Sequence, residues 1–221
     1  MDPRLLLFLI VGTFLMSIPM VVIAKKRGIL IWKAIVSTVF LTIIGTSGTY
    51  LMFIIENGVF GGLSFYGAVF LVPIVFVLVS LLLRISYGEI LDLCAVGECI
   101  MLALMKVHCM LGGCCKGRFL FMSADGTPVL FPSREVELSV ALVIFLILFY
   151  LALKKKFFGQ LYPLYLLLYG STRFVLNIFR EAWVTKDMIL PFGNIWSIVS
   201  IVLGLILLLI VRKKKLKEKH E

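Results

Sequence analysis

LLLFLIVGTFLMSIPMVVIA, residues 5–24, runs for 20 residues without a charge and is closed at once by Lys25, Lys26 and Arg27. About 20 apolar residues in a helix cover the hydrocarbon core of a bilayer. The stretch therefore reads as a membrane span with a basic anchor at its end. No A-x-A-like cleavage site follows it, so it is expected to stay in place as a helix rather than act as a removable leader.

The same pattern recurs along the chain. Further spans are predicted over residues 31–55, 63–83, 87–111, 136–153, 161–179 and 195–211. The composition agrees, with 62% hydrophobic residues among 221 and a mean hydropathy of +1.11. A soluble domain of this length has too little interior to hide so much apolar material. The expected fold is all-α, a polytopic transmembrane bundle of about seven spans forming a single transmembrane domain over residues 1–221. No internal repeat is visible, which counts against a transporter built from inverted halves.

The formal charge of +10 raises the question of nucleic acid, and the positions of the charges answer it. Lys25, Lys26 and Arg27 follow the first span, and Lys154, Lys155 and Lys156 follow the fifth. Arg212, Lys213, Lys214, Lys215, Lys217 and Lys219 fill the tail after the seventh. Each cluster abuts an apolar run, as topology anchors do, so no nucleic-acid partner is expected. The alternate loops are poorer, with Arg4, Lys116, Arg118, Arg134, Arg180 and Lys186. This asymmetry predicts the N-terminus outside and residues 212–221 as a basic cytoplasmic tail. The longest connection, residues 112–135, falls on the outer side; Asp125-Gly126, Pro128 and Pro132 predict a short hairpin or a loop over the bundle.

Ionisable groups within spans are costly and need partners or a task. The fourth span carries Asp92, Glu98, Lys106 and His108. At 100° per residue Asp92, Lys106, Cys109 and Gly113 share a narrow arc, with Glu98 beside it. An internal pair such as Glu98 with Lys106 accounts for part of this. Beyond it, Gly112, Gly113 and Gly117 expose backbone N–H groups, and Lys106, Lys116 and Arg118 supply positive charge, a combination suited to an anionic head group. In the sixth span Arg173, Asn177 and Arg180 lie on one helix face. The guanidinium of Arg173 matches phosphate or carboxylate, while Arg180 has the option of reaching the interface. Tyr66 reads equally as an interfacial belt residue or a hydrogen-bond donor.

The five cysteines are Cys94, Cys99, Cys109, Cys114 and Cys115. An odd number with two adjacent does not predict a disulfide framework, and adjacent thiols are a poor exchange pair. His108, Cys109, Cys114 and Cys115 are zinc-ligand types, but the usual paired C-x₂₋₄-C spacing is missing. No metal and no cofactor is expected.

Taken in order, Gly62 to Gly67, Asp92, Lys106 to Arg118, Phe131 to Ser133 with Glu137, Tyr169-Gly170 with Arg173 and Arg180, and Gly193 to Ser197 resemble the prolipoprotein diacylglyceryl transferases. The resemblance covers the chain from about Gly61 to the last span. It implies transfer of a diacylglyceryl group from phosphatidylglycerol, or a related anionic phospholipid, to the lipobox cysteine thiol of a prolipoprotein. The place implied is the outer side of the bacterial cytoplasmic membrane. Tyr66, Lys106 and Arg173 would be catalytic, with Lys106 and Arg173 on the phosphate. Cys109, Gly113, Gly117, Arg118, Asn177 and Arg180 would complete the substrate site. Several positions depart from the common family pattern: Tyr66 and Phe131 stand where histidine is usual, Lys106 where arginine is, Cys109 where asparagine is frequent, and Asn177 where glutamate is. The other expectation is a non-catalytic phospholipid-binding membrane protein with the same fold.

Overall fold

A computed structural model of the chain describes residues 3–123, 125–154, 157–180 and 192–218. Lys155, Lys156, Lys186 and Lys219 lie outside them. Among the described residues there are seven helices: α1 (Pro3–Arg27), α2 (Ile31–Asn57), α3 (Tyr66–Leu83), α4 (Tyr87–Gly112), α5 (Ser133–Ala152), α6 (Leu161–Ile178) and α7 (Phe192–Glu218). Each expected span coincides with one of them to within a few residues, except that α7 runs on into the basic tail. Between α4 and α5 the hairpin option holds, as antiparallel strands β1 (Phe119–Met122) and β2 (Pro128–Leu130).

Five helices, α1, α2, α3, α5 and α7, are long and apolar enough to cross a membrane. Their outward faces carry large apolar side chains such as Leu78, Leu81, Leu82, Leu146 and Leu209, which water would solvate poorly and lipid solvates well. The two helices that fall short of that apolarity are α4, with Glu89, Asp92, Glu98 and Lys106, and α6, with its tyrosines, Arg173 and Asn177. α4 packs against α1, α2, α3, α5 and α6, so its polar groups face protein.

Two glycine contacts set how closely helices approach. A Cβ on Gly67 would fall on the Gly48 carbonyl oxygen, and one on Gly48 would meet the Gly67 oxygen at 2.5 Å, so α2 and α3 cross almost backbone to backbone. α3 starts at Tyr66 rather than at residue 63 because the preceding segment folds back on α2. There the Ser64 N–H donates to the Thr49 carbonyl (3.0 Å) and its hydroxyl donates to Glu56 Oε1 (2.8 Å).

One end of the bundle is tied by Asp92. Arg27 Nη1 lies 2.8 Å from Asp92 Oδ2, and the backbone N–H groups of Gly159 and Leu161 donate to the same carboxylate at 2.7 and 2.9 Å. Arg27 also donates to the Ala152 carbonyl from Nε and Nη2. The ends of α1 and α5 and the starts of α4 and α6 thus meet in one buried knot. Asp92 has the expected angular position on α4, but 14 residues separate it from Lys106, roughly 21 Å along the axis. It belongs to this knot and not to the polar cluster around Lys106.

Candidate functional site

At the opposite end, Glu137 of α5 is buried and collects three cations. Lys106 of α4 pairs with its Oε2; Arg173 Nη1 of α6 lies 2.5 Å and Arg180 Nη1 3.7 Å from its Oε1. The side chains of Lys106, Arg173 and Arg180 are 9%, 15% and 21% exposed, so water screens the cluster weakly. The expected Glu98–Lys106 pair is not what forms. Glu98 instead accepts from the Tyr162 hydroxyl at 3.4 Å, and Glu137 takes the ammonium from the facing helix. In the sequence Glu137 stands out only as a member of a motif. As a carboxylate near a helix start it gives no sign of its partners, which only tertiary packing supplies.

Three positive charges against one negative leave this cluster with an excess of two. Arg173 Nε and Asn177 Nδ2, both buried, have no hydrogen-bond partner among the described residues. Unmet buried donors beside surplus positive charge form a cradle for an anion with several acceptor oxygens.

The cradle opens on a cavity of about 1220 Å³, lined by Tyr66, Lys106, Cys109, Gly113, Asn177, Arg173 and Arg180 among others. Seven of the nine residues singled out from the sequence therefore line one cavity. Glu56, Glu98, His108 and Lys116 also line it. Apolar side chains, including Leu5, Leu9, Met16, Leu41, Met101 and Leu102, make up another part of the wall. The volume exceeds the roughly 300–1000 Å³ usual for small-molecule sites and suits a bulkier amphiphile, polar at one end and apolar at the other.

Gly117 and Arg118 do not line the cavity. A Cβ on Gly117 would collide with the Phe131 carbonyl oxygen, and Gly117 pairs with Arg180 as an isolated bridge. The Arg118 N–H donates to the Phe179 carbonyl at 2.9 Å, its Nε to the Arg180 carbonyl at 3.0 Å, and its own carbonyl accepts from the Phe131 N–H at 2.8 Å. Phe131 stacks on Phe179 with ring centroids 4.9 Å apart. These contacts clamp the α4–α5 connection to the end of α6 and fix where Arg180 starts from.

Tyr66 is buried at the start of α3, its hydroxyl 2.6 Å from Ser197 Oγ of α7. Ser197 donates its own hydrogen to the Gly193 carbonyl at 2.6 Å, so Tyr66 is the donor in the Tyr66–Ser197 bond. The belt option for Tyr66 gives way to an interhelical hydrogen bond within the cavity wall.

The glycine-rich bend after α4 begins at Gly113, which has φ 69°. Cys115 has φ 59°, a left-handed conformation that non-glycine residues seldom adopt. The sulfurs of Cys109, Cys114 and Cys115 all lie within 4.8 Å of one another, and all three residues line the cavity. The bend brings the thiols together in a way the linear spacing does not reveal. A hydrogen bond with Cys109 holds the Cys115 thiol below its ordinary pKa, with Lys106 adding to the effect; burial pushes Cys114 up.

Comparison with known proteins supports the family resemblance. Residues 6–210 match the family profile described as prolipoprotein diacylglyceryl transferase. A curated protein of Dehalococcoides mccartyi, named phosphatidylglycerol–prolipoprotein diacylglyceryl transferase, is 27% identical over 177 residues, covering 71% of this chain and 64% of that protein. The chain thus spans somewhat less than two thirds of that relative's length.

Proposed function

The chain belongs to the prolipoprotein diacylglyceryl transferase family, and from that premise we propose that it transfers the diacylglyceryl group of phosphatidylglycerol to the lipobox cysteine of a prolipoprotein. The observation that carries the reading is the convergence of Lys106, Arg173 and Arg180 on Glu137 at the wall of a large, partly apolar cavity. In this reading the phosphate sits against Arg173 and Lys106, and the acyl chains lie along Leu5, Met16 and Leu41. The acceptor thiolate attacks the glyceryl carbon next to the phosphate. The carbon–oxygen bond breaks, and glycerol phosphate leaves with the electron pair. Positive charge placed before the reaction at the departing oxygen stabilises the transition state more than it stabilises the diester. Arg180 and Asn177 support the phosphate, and Tyr66 orients the head group.

The same reading puts all seven helices across a bacterial cytoplasmic membrane as one domain, with the N-terminus and the cavity outside and residues 212–221 in the cytoplasm. The charge asymmetry of the loops supports it, as does the burial of the polar face of α4.

The test is direct. Purified protein in phosphatidylglycerol-containing nanodiscs, given a lipobox peptide, should release glycerol phosphate. Arg173→Ala should lower release by about 100-fold, and Arg173→Lys should recover only part of it because the planar fork is lost. Tight phospholipid copurification with no turnover on any anionic lipid would overturn the reading.

A further inference from the structure

Transfer to a thiol needs that thiol ionised; Tyr66 and the carboxylates of the site are already engaged, and His108, packed edge-on against Phe8, also lines the wall. The Tyr66 proton is committed to Ser197, and three cations occupy Glu137. Glu56 accepts from Ser64 and Glu98 from Tyr162. What the cavity does hold, and the phosphate cradle leaves unused, is the group of three thiols.

Their spacing is informative. Cys109 Sγ and Cys115 Sγ are 3.9 Å apart, and all three sulfurs fall within 4.8 Å of one another. A disulfide would need about 2.05 Å. Thiolates sharing one zinc-class ion, with metal–sulfur bonds of about 2.3 Å, stand roughly 3.8–4.0 Å apart. The left-handed Cys115 holds a bend that brings two adjacent cysteines and one from the preceding helical turn within 4.8 Å of one another at their sulfurs, close enough for small rotamer changes to place all three on one ion. Soft thiolates select ions of the zinc class. A site with three protein ligands keeps a fourth position open, the arrangement by which a metal takes up an exogenous ligand. All three cysteines face the cavity that Lys106 and Arg173 also line.

We propose that Cys109, Cys114 and Cys115 bind one zinc-class divalent cation at the cavity wall, and that its fourth position takes the acceptor's thiol. The second half rests on the transferase reading above. On coordination the acceptor's S–H gives its proton to solvent, since a metal-bound thiol is deprotonated outright. A sulfur lone pair then forms the carbon–sulfur bond to the glyceryl carbon. The carbon–oxygen bond to phosphate breaks, and its electron pair leaves on glycerol phosphate. The metal changes neither oxidation state nor charge. It supplies the ionised nucleophile that Tyr66, standing where the family usually has histidine, does not.

The full chain, purified in detergent, reduced and stripped with a chelator, is titrated with cobalt(II) as a spectroscopic stand-in for zinc. The expected result is one equivalent bound, with thiolate-to-cobalt charge-transfer absorption that zinc abolishes by displacement. Cys109→Ser and Cys115→Ser should each weaken binding at least about 10-fold, while their unfolding transitions without metal match that of the unsubstituted chain. A lipobox peptide should raise the charge-transfer intensity by about a third, as a fourth sulfur joins three; a peptide with serine in place of its cysteine should not. No cobalt binding, or binding that survives both substitutions, overturns the metal site. Binding that the cysteine peptide leaves unchanged overturns the acceptor's place on it. The titration needs no turnover, so a chain that binds cobalt through these thiols but releases no glycerol phosphate would uphold the metal site and refute the transferase reading.

Discussion

Lys106, Arg173 and Arg180 bring three positive charges to one carboxylate, so replacing Glu137 by glutamine acts in two directions. It leaves buried cations uncompensated, a loss that typically costs about 3 kcal/mol or more. It also makes the cradle more positive, so an anionic phospholipid gains what the fold loses. Glu137→Gln should therefore unfold at a markedly lower temperature in neutral detergent. Phosphatidylglycerol should restore more of that loss than phosphatidylcholine does, a difference that calorimetry in mixed micelles reads. Equal rescue by the two lipids would remove the claim that the excess charge is there for a phosphate. Only part of this is legible in the sequence. Lys106 and Arg173 stand out because a cation in an apolar span needs a partner or a task, and Arg180 because it continues the helix face of Arg173 and Asn177. Glu137 does not, because its significance lies in what α4 and α6 bring to it. Cys115 was opaque for a different reason: the clustering depends on a backbone torsion that residue spacing does not encode.

Helix placement follows from composition almost unaided, because the period and length of apolar runs are local properties. The contacts between helices are another matter, and two of them hold the site's frame. The α2–α3 crossing leaves no room for a Cβ at Gly67, which would meet the Gly48 carbonyl oxygen. Gly67→Ala must push the helices apart at backbone level, where no side chain can yield, and the cost is about 2 kcal/mol. Tyr66 is the adjacent residue, so the same shift should lengthen its hydrogen bond to Ser197. The variant should lose transferase turnover well beyond what its reduced stability explains, checked by comparing rate with folded fraction at one temperature. Tyr66→Phe, which keeps the frame, separates the two effects by leaving the unfolding temperature near normal. The Asp92 knot makes the complementary case. Asp92 serves one guanidinium and two backbone N–H groups where α1, α4, α5 and α6 meet. Asp92→Asn should destabilise by about 3 kcal/mol, yet leave the affinity of the folded fraction for phosphatidylglycerol unchanged, because the knot lies at the far end of α4 from the cradle.

For the molecule as a whole, the two polar centres sit at opposite ends of α4, and this arrangement ties the chemistry to membrane orientation. The Arg27–Asp92 knot lies at the end where α1, α3, α5 and α7 run out into basic residues such as Arg27, Arg84, Lys154 and Arg212. The Glu137 cradle lies at the end with the hairpin, whose connections hold fewer Lys and Arg than those of the opposite end. If basic flanks stay in the cytoplasm, the cradle faces outward, the side on which an exported prolipoprotein presents its cysteine. Among the described residues five helices meet a length-and-apolarity criterion; α4 and α6 carry in exchange the charged and polar groups that build the candidate site. Orientation is checked in a background with all five cysteines replaced by serine. Asp125→Cys, in the exposed turn between β1 and β2, should react with a membrane-impermeant maleimide on intact cells. Lys213→Cys, in the basic extension of α7, should react only after permeabilisation. The reverse pattern would put the cradle in the cytoplasm, away from any exported substrate, and the proposed reaction would have no acceptor there.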